Sequence, residues 1–524
     1  MARLLPLKRA VVGACAVILC LAATGWQRGM PAAAAEPTAA AAPAAVAAEW
    51  ETALADLKRQ AATGGHEQIT KILAGWDQPV AAGRQAIFAI PSGMEPPADL
   101  ADDSARRLWN DFLAARRNRA AGTFAQALAA ARAHAKRPGR GAADAPPAAP
   151  LGQQSCLAVE LLYATLRDDP DHARAREAGG WVRRGEEWVW PEAARRLSKR
   201  EEFDAAFGWL PQGRMNRYRA GERFDGGRWL TAEAAEEIVR PLARGWKFES
   251  DHWQIRATAS LAATAELATH LEQTHDIWRQ VFGASCAEPA EWEKRLEGRG
   301  RVTPREPFAA NLLNSRTEYV AALEQVEPAA AHTLGLYWTP THTAWFAAER
   351  LKADAAEPDE PEQTVGLEAT TIHHEAVHQL FAEMRPTSPL AGERCGFWAI
   401  EAAACYLESL EPAPYGWTLG GIEAGRVPAA RERLLIDGLY VPLEELTSLG
   451  RRAFQADERL PAIYSQIAGL ADFFMNGQRG VYREAFVEYL VRIYTGTVDP
   501  DTLARLCKRS YAELDEEYRR HLSR

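Results

Sequence analysis

The stretch from Thr370 to Phe381 has room for only one regular structure, and it carries one HExxH, formed by His374, Glu375 and His378. Ile372, Ala376 and Leu380 make an apolar stripe that Val377 and Phe381 widen, which is the spacing of a helix. No Pro or Gly interrupts the chain from Leu367 to Met384, and Pro386 and Pro389 stop it. On a helix, residues four apart sit one turn above each other on the same face. Two imidazoles so placed can grip one zinc ion, and the glutamate beside the first then lies next to the metal, where it can take a proton from a metal-held water. Histidine is scarce, 12 in 524 residues, so a chance HExxH is roughly a few-per-cent event. The plainer alternative is a solvated helix face carrying two histidines, but so apolar a helix suits a buried site better. His373 is five residues from His378, which takes it off the i, i+4 pair and makes it a neighbour rather than a ligand.

A catalytic zinc wants three protein ligands plus a water. The third candidate is Glu401, in a second helical stretch from Gly396 to Glu408 that Pro412 and Pro414 end. Glu401 and Glu408 share a face two turns apart, with Cys405 between them. A carboxylate among alanines and aromatics is usually paired or bound to metal.

His374-Glu375-x-x-His378 followed by Trp398-x-x-Glu401-x-x-x-x-Tyr406-x-Glu408 resembles the gluzincin metallopeptidases, above all the aminopeptidase-N-like branch and its bacterial relatives of uncharacterised function. The resemblance implies a thermolysin-like zincin domain holding one Zn2+. In it His374, His378 and Glu401 match the ligands and Glu375 the general base. Trp398, Tyr406 and Glu408 match the flanking positions, Glu408 as the outer partner of a zinc histidine. Tyr464, 63 residues after Glu401, matches the tyrosine that in such relatives donates to the oxyanion; a buried helix tyrosine is the other reading. The chain departs from the pattern at Ala402, where a glycine usually follows the third ligand. The spacing of 23 from His378 to Glu401 is longer than in the family. It also has no Gly-x-Met-Glu-Asn-type strand, which counts against aminopeptidase action but not against zinc.

The resemblance spans roughly residues 246 to 522. There, Trp246 to Ile255 alternates like a strand and Ala257 to Phe282 reads as a long helix. Tyr337 to Ala347, around Thr339-Pro340-Thr341, reads as a hairpin whose second strand, Thr343 to Ala348, precedes the zinc helix. In relatives an edge strand beside the cleft pairs with the substrate backbone, a mode that gives affinity without sequence choice. Tyr464 to Met475 and Arg483 to Tyr494 read as helices, with two more to His521.

The chain start predicts export. Arg3, Lys8 and Arg9 precede an apolar Ala10 to Ala23, too short to span a bilayer, and Ala33-Ala34-Ala35 offers a cleavage site. A lipid anchor at Cys15 or Cys20 fits less well, because almost no apolar run precedes the first and Leu19 before the second is too large. No later stretch predicts a transmembrane helix. Cys156, Cys286, Cys395, Cys405 and Cys507 then remain, without CxxC spacing: no disulfide scaffold, though one bridge is possible. A net charge of −9 gives no reason to expect nucleic acid.

The organisation expected is a signal peptide over 1–35, an Ala/Pro-rich spacer over 36–48, a helical region over 49–136 and a linker over 137–150. Over 151–245 follow a helical hairpin and two Trp β-hairpin modules, and over 246–524 the peptidase-like domain. The modules are Trp181 to Ala194 and Phe224 to Ala235, each a β-turn-β with a Gly turn, a returning tryptophan and a helix start. Either the tryptophans bind cell-wall polymer or a partner protein, or each caps a tiny core. The whole is expected to be a mainly helical α+β protein, an exported periplasmic or extracellular zinc metallopeptidase acting on a peptide or protein. The rivals are a non-catalytic zinc-binding scaffold and an amidase acting on non-peptide or cell-wall amides.

Overall fold

In the computed structural model, the described residues are 43–76, 80, 83–91, 96, 100, 102–135, 154–325, 327–348 and 367–524. The segments read as signal peptide and as linker lie outside them. Within the stretch read as spacer, a helix begins at Pro43 and runs to Thr63. Proline's fixed φ suits a first helical position, and alanine is the best helix former.

The architecture is α+β and mainly helical, with small sheets. The largest sheet has five strands in the order Gly335–Trp338, Thr343–Ala347, Phe308–Leu313, Trp253–Ala257, Trp246–Glu249. The central strand Phe308–Leu313 runs parallel to both neighbours, and the two outer strands are antiparallel. Alternate residues Phe308, Ala310 and Leu312 are buried, as a period of two demands. Helices Leu261–Val281 and Ala369–Glu383 pack together beside this sheet. Gln379 ties them to it: its side-chain oxygen accepts from Trp253 Nε1 at 3.0 Å and its amide donates to the Ala309 carbonyl at 3.0 Å.

The single strand read over Trp246 to Ile255 is two strands joined by a turn at Ser250, Asp251 and His252. Ser and Asp bond their own backbone and favour turns; here Ser250 N donates to the Trp253 carbonyl at 2.9 Å. The turn shifts the inward register, so Trp253 and Ile255 are buried, not Gln254. The following helix starts at Leu261, where the Ser260 side chain accepts from Ala263 N.

Both Trp hairpins read from the sequence are present, and a third lies between them. Val182–Arg184 pairs with Glu187–Val189, Glu201–Asp204 with Gly208–Pro211, and Glu222–Asp225 with Arg228–Thr231. A short helix follows each. The outer two turn on Gly185-Glu186 and Gly226-Gly227, the two-residue signature that is easiest to read. The middle one turns through Ala205, Ala206 and Phe207, with its glycine displaced to Gly208, so it lacks that signature. Trp188 and Trp229 pack partly buried on the main core.

That core runs from Ile87 to Leu522 and takes in Phe124, Leu162 and Trp278, so helices before residue 245 bury apolar surface together with those after it. Strand Gln85–Phe88 even joins Gly416–Leu419, just after the Glu401 helix. All five described cysteines are free, and no described helix is long and apolar enough to cross a membrane.

Candidate metal centre

The HExxH segment is helix Ala369–Glu383, capped where Glu368 accepts from Thr371 N at 3.1 Å. Ile372, Ala376, Val377, Leu380 and Phe381 are buried. Phe381 stacks on Tyr494, and that contact turns the helix's other face, with His374, Glu375 and His378, toward a cleft.

The second helix, Phe397–Leu407, is buried along its whole length. It starts at Gly396, whose φ of 75° is left-handed and where a Cβ would meet Tyr489 Oη at 2.8 Å. Fully burying a residue the size of Leu or Phe contributes about 1.5–3 kcal/mol over leaving it exposed, so this helix is held rigidly. It has to be rigid if Glu401 is to keep its place.

The two helices bring the predicted ligands together. One ligand atom each from His374, His378 and Glu401 lie within 4.8 Å of one another. His374 Nε2 stands 3.5 Å from Glu401 Oε2, and His378 Nε2 stands 3.7 Å from Glu401 Oε1. The two imidazoles face each other at 76° with centroids 4.9 Å apart. This donor set, two imidazoles and a carboxylate, is one that zinc takes in catalytic sites.

The electrostatics agree. Burial would raise the Glu401 carboxyl, but His378 and His374 outweigh it and hold it at about 2. Burial lowers His378. On His374 burial also pushes down, yet hydrogen bonds with Cys405, Glu401 and Glu408 win and raise it well above the usual histidine range. The site therefore concentrates negative charge around the imidazoles, a field that a cation relieves.

A second cluster, His374 with Cys405 and Glu408, shares one histidine with the first. It makes a poorer metal site. Burial raises the Cys405 thiol, which disfavours the thiolate a metal needs. Glu408 is already engaged: it accepts from His374 Nδ1 at 2.8 Å and from Arg426 Nη2 at 3.0 Å. That is how an outer carboxylate fixes the tautomer of a metal histidine. His373 bonds Thr274 Oγ1 at 2.7 Å, away from the ligand set.

Glu375 is not among the clustered ligands. Its Oε2 accepts from Tyr337 N at 2.8 Å, on the edge strand Gly335–Trp338. Tyr464 Oη donates to Glu401 Oε2 at 3.0 Å, and burial, with Glu401 beside it, raises this phenol. Tyr464 thus belongs to the centre, bonded to the expected third ligand.

The cleft encloses about 1560 Å³, lined by the edge strand, the HExxH and Glu401 helices, Arg426, Arg451, Tyr464 and Tyr494. Three of its features had escaped the sequence reading. Arg426 as the clamp on Glu408 and the Tyr337 N–H as the holder of Glu375 follow from contacts across long sequence gaps, and no local pattern marks them. Gly335 is the third. A Cβ there would meet Thr371 Cγ2 at 2.6 Å and Glu375 Cγ at 3.0 Å. The edge strand reaches Glu375 because residue 335 has no side chain. Gly335→Ala is expected to push the strand off the helix and break the Tyr337 N–H to Glu375 bond, which faster hydrogen exchange at the Tyr337 amide would show.

Compared with family models, with curated proteins and with solved structures, the chain matches none of them.

Proposed function

We propose that this chain is an exported zinc-dependent peptidase built on a thermolysin-like catalytic domain. The placement of Glu375 carries the reading: a carboxylate beside the metal ligands but outside them, fixed by a backbone N–H of a strand at the edge of the cleft. A purely structural metal site has no use for such a group.

Zinc held by His374, His378 and Glu401 would supply Lewis acidity and lower the pKa of a water to roughly 7. The chain's own residues do the rest. Tyr337 N–H occupies one oxygen of Glu375 and leaves the other to accept the proton of the attacking water and return it to the leaving amine. Leu336 and Trp338 pair inward with Trp345 and Thr343, so alternation turns the backbone of Gly335 and Tyr337 toward the cleft. An extended peptide adding there would be held by its main chain. Tyr464 releases Glu401 and donates to the oxygen that becomes negative in the transition state. The export half of the reading rests on the charged, apolar and small-residue order of the first 35 residues.

The test is a diverse peptide library incubated with purified protein, with and without chelator. Cleavage that chelator abolishes and one equivalent of zinc restores is the expected result; no cleavage of any peptide would return the site to a structural role. Tyr464→Phe separates two roles for that residue. As an oxyanion donor, its loss lowers kcat about 10²- to 10³-fold with zinc retained. If Tyr464 only braced Glu401, zinc affinity would fall instead, which competition with a chromogenic chelator would show.

A further inference from the structure

A second group of ligand-type side chains lies at the turn before strand Trp253–Ala257, apart from the cleft. One nitrogen each of His252 and His275 and one oxygen of Glu272 lie within 4.8 Å of one another. The two imidazoles stack with centroids 3.8 Å apart. His252 Nδ1 pairs with Glu272 Oε2 at 2.6 Å, and His252 N donates to Glu272 Oε1 at 2.8 Å. His275 is only 3% exposed, and its Nδ1 has no hydrogen-bond partner, with Asp276 Oδ1 standing 3.6 Å away. A polar nitrogen is rarely buried this deeply without one. Both histidines border a cavity of about 40 Å³, enough for one small ion or water.

We infer that His252, His275 and Glu272 form a second divalent-metal site, of the imidazole–carboxylate type that zinc and cobalt accept. The carboxylates of Glu272, Asp251 and Glu192 face His252, and Arg279 and Arg305 are the cations near His275. Arg279 is engaged with the Gly179 carbonyl and Arg305 with the Glu383 and Met384 carbonyls. Metal entry displaces the proton shared by His252 and Glu272, and that proton leaves to solvent. Zinc holds such ligands at about 2.0–2.2 Å in the ring planes, so the two imidazoles, 27° from parallel, must turn out of their stack to face one ion.

The surroundings show what such an ion does. Trp190 of the first hairpin module packs edge-on against both imidazoles, and Trp209 of the second donates to Asp251 Oδ1 at 2.8 Å. His252 lies in the turn between two strands of the sheet, and Glu272 and His275 lie on helix Leu261–Val281, which packs on the HExxH helix. The ion therefore clamps the turn to the helix that backs the cleft, under the two tryptophans.

Metal-stripped full-length protein titrated with cobalt(II), read by equilibrium dialysis and by visible absorption, tests this. The wild type should bind two cobalt ions per chain. His374→Ala/His378→Ala should retain one, and adding His275→Ala or Glu272→Gln should remove it. The second variant keeps size and shape should the first misfold. One cobalt in the wild type and none in the double variant would overturn the second site and leave the cleft site standing. One cobalt in the wild type that survives His374→Ala/His378→Ala but not Glu272→Gln would uphold it and sink the cleft site instead.

Discussion

Glu375→Gln is expected to lower turnover of a peptide substrate by about 10²- to 10⁴-fold while zinc stays bound. Glutamine keeps the volume and offers a carbonyl oxygen to Tyr337 N, which Glu375 Oε2 now occupies at 2.8 Å. The edge strand and the helix should hold their places, since the tight contact at Gly335 involves Cγ, which both side chains share. Only the proton-accepting oxygen is lost. Activity and metal content must come from the same preparation. Lost zinc would make Glu375 a ligand rather than a base. Retained zinc with unchanged turnover would put the proton transfer on another group.

The second large effect is on the metal itself. Glu401→Ala removes the only carboxylate of the three-ligand group and leaves two imidazoles, too few for a catalytic zinc. Affinity should fall more than about 100-fold, beyond the 10–100-fold typical of outer partners such as Glu408. The variant also leaves Tyr464 Oη without its acceptor. Competition with a chelator of known affinity measures the change at the cleft site in a background lacking the His252 cluster. Full affinity in this variant would reject Glu401, and Glu393, which lines the same cleft, would be the next carboxylate to replace.

The centre was readable where its logic is local. His374 and His378 share a face because a helix repeats every 3.6 residues, and the apolar stripe of Ile372, Ala376 and Leu380 shows that this segment is such a helix. Glu401 stood out because an ionisable group in the buried run of Phe397–Leu407 needs a partner. Its distance from His378 along the chain said nothing of the 3.7 Å between them. The hairpins divide in the same way: two were legible from two-residue glycine turns, and the middle one, with a longer turn, was not.

The sequence by itself determined the HExxH helix, the carboxylate-bearing second helix, the mainly helical α+β class and the strand Thr343–Ala347, because each rests on periodicity, turn chemistry or capping within some twenty residues. Only the tertiary structure decided that Arg426 clamps Glu408, that Tyr337 N–H holds Glu375, that Tyr464 bonds Glu401, and that His252 stacks on His275. Each of these pairs joins different elements. Their meeting is set by how whole helices and strands pack to bury apolar surface in one core, a property of the entire chain that no local window contains.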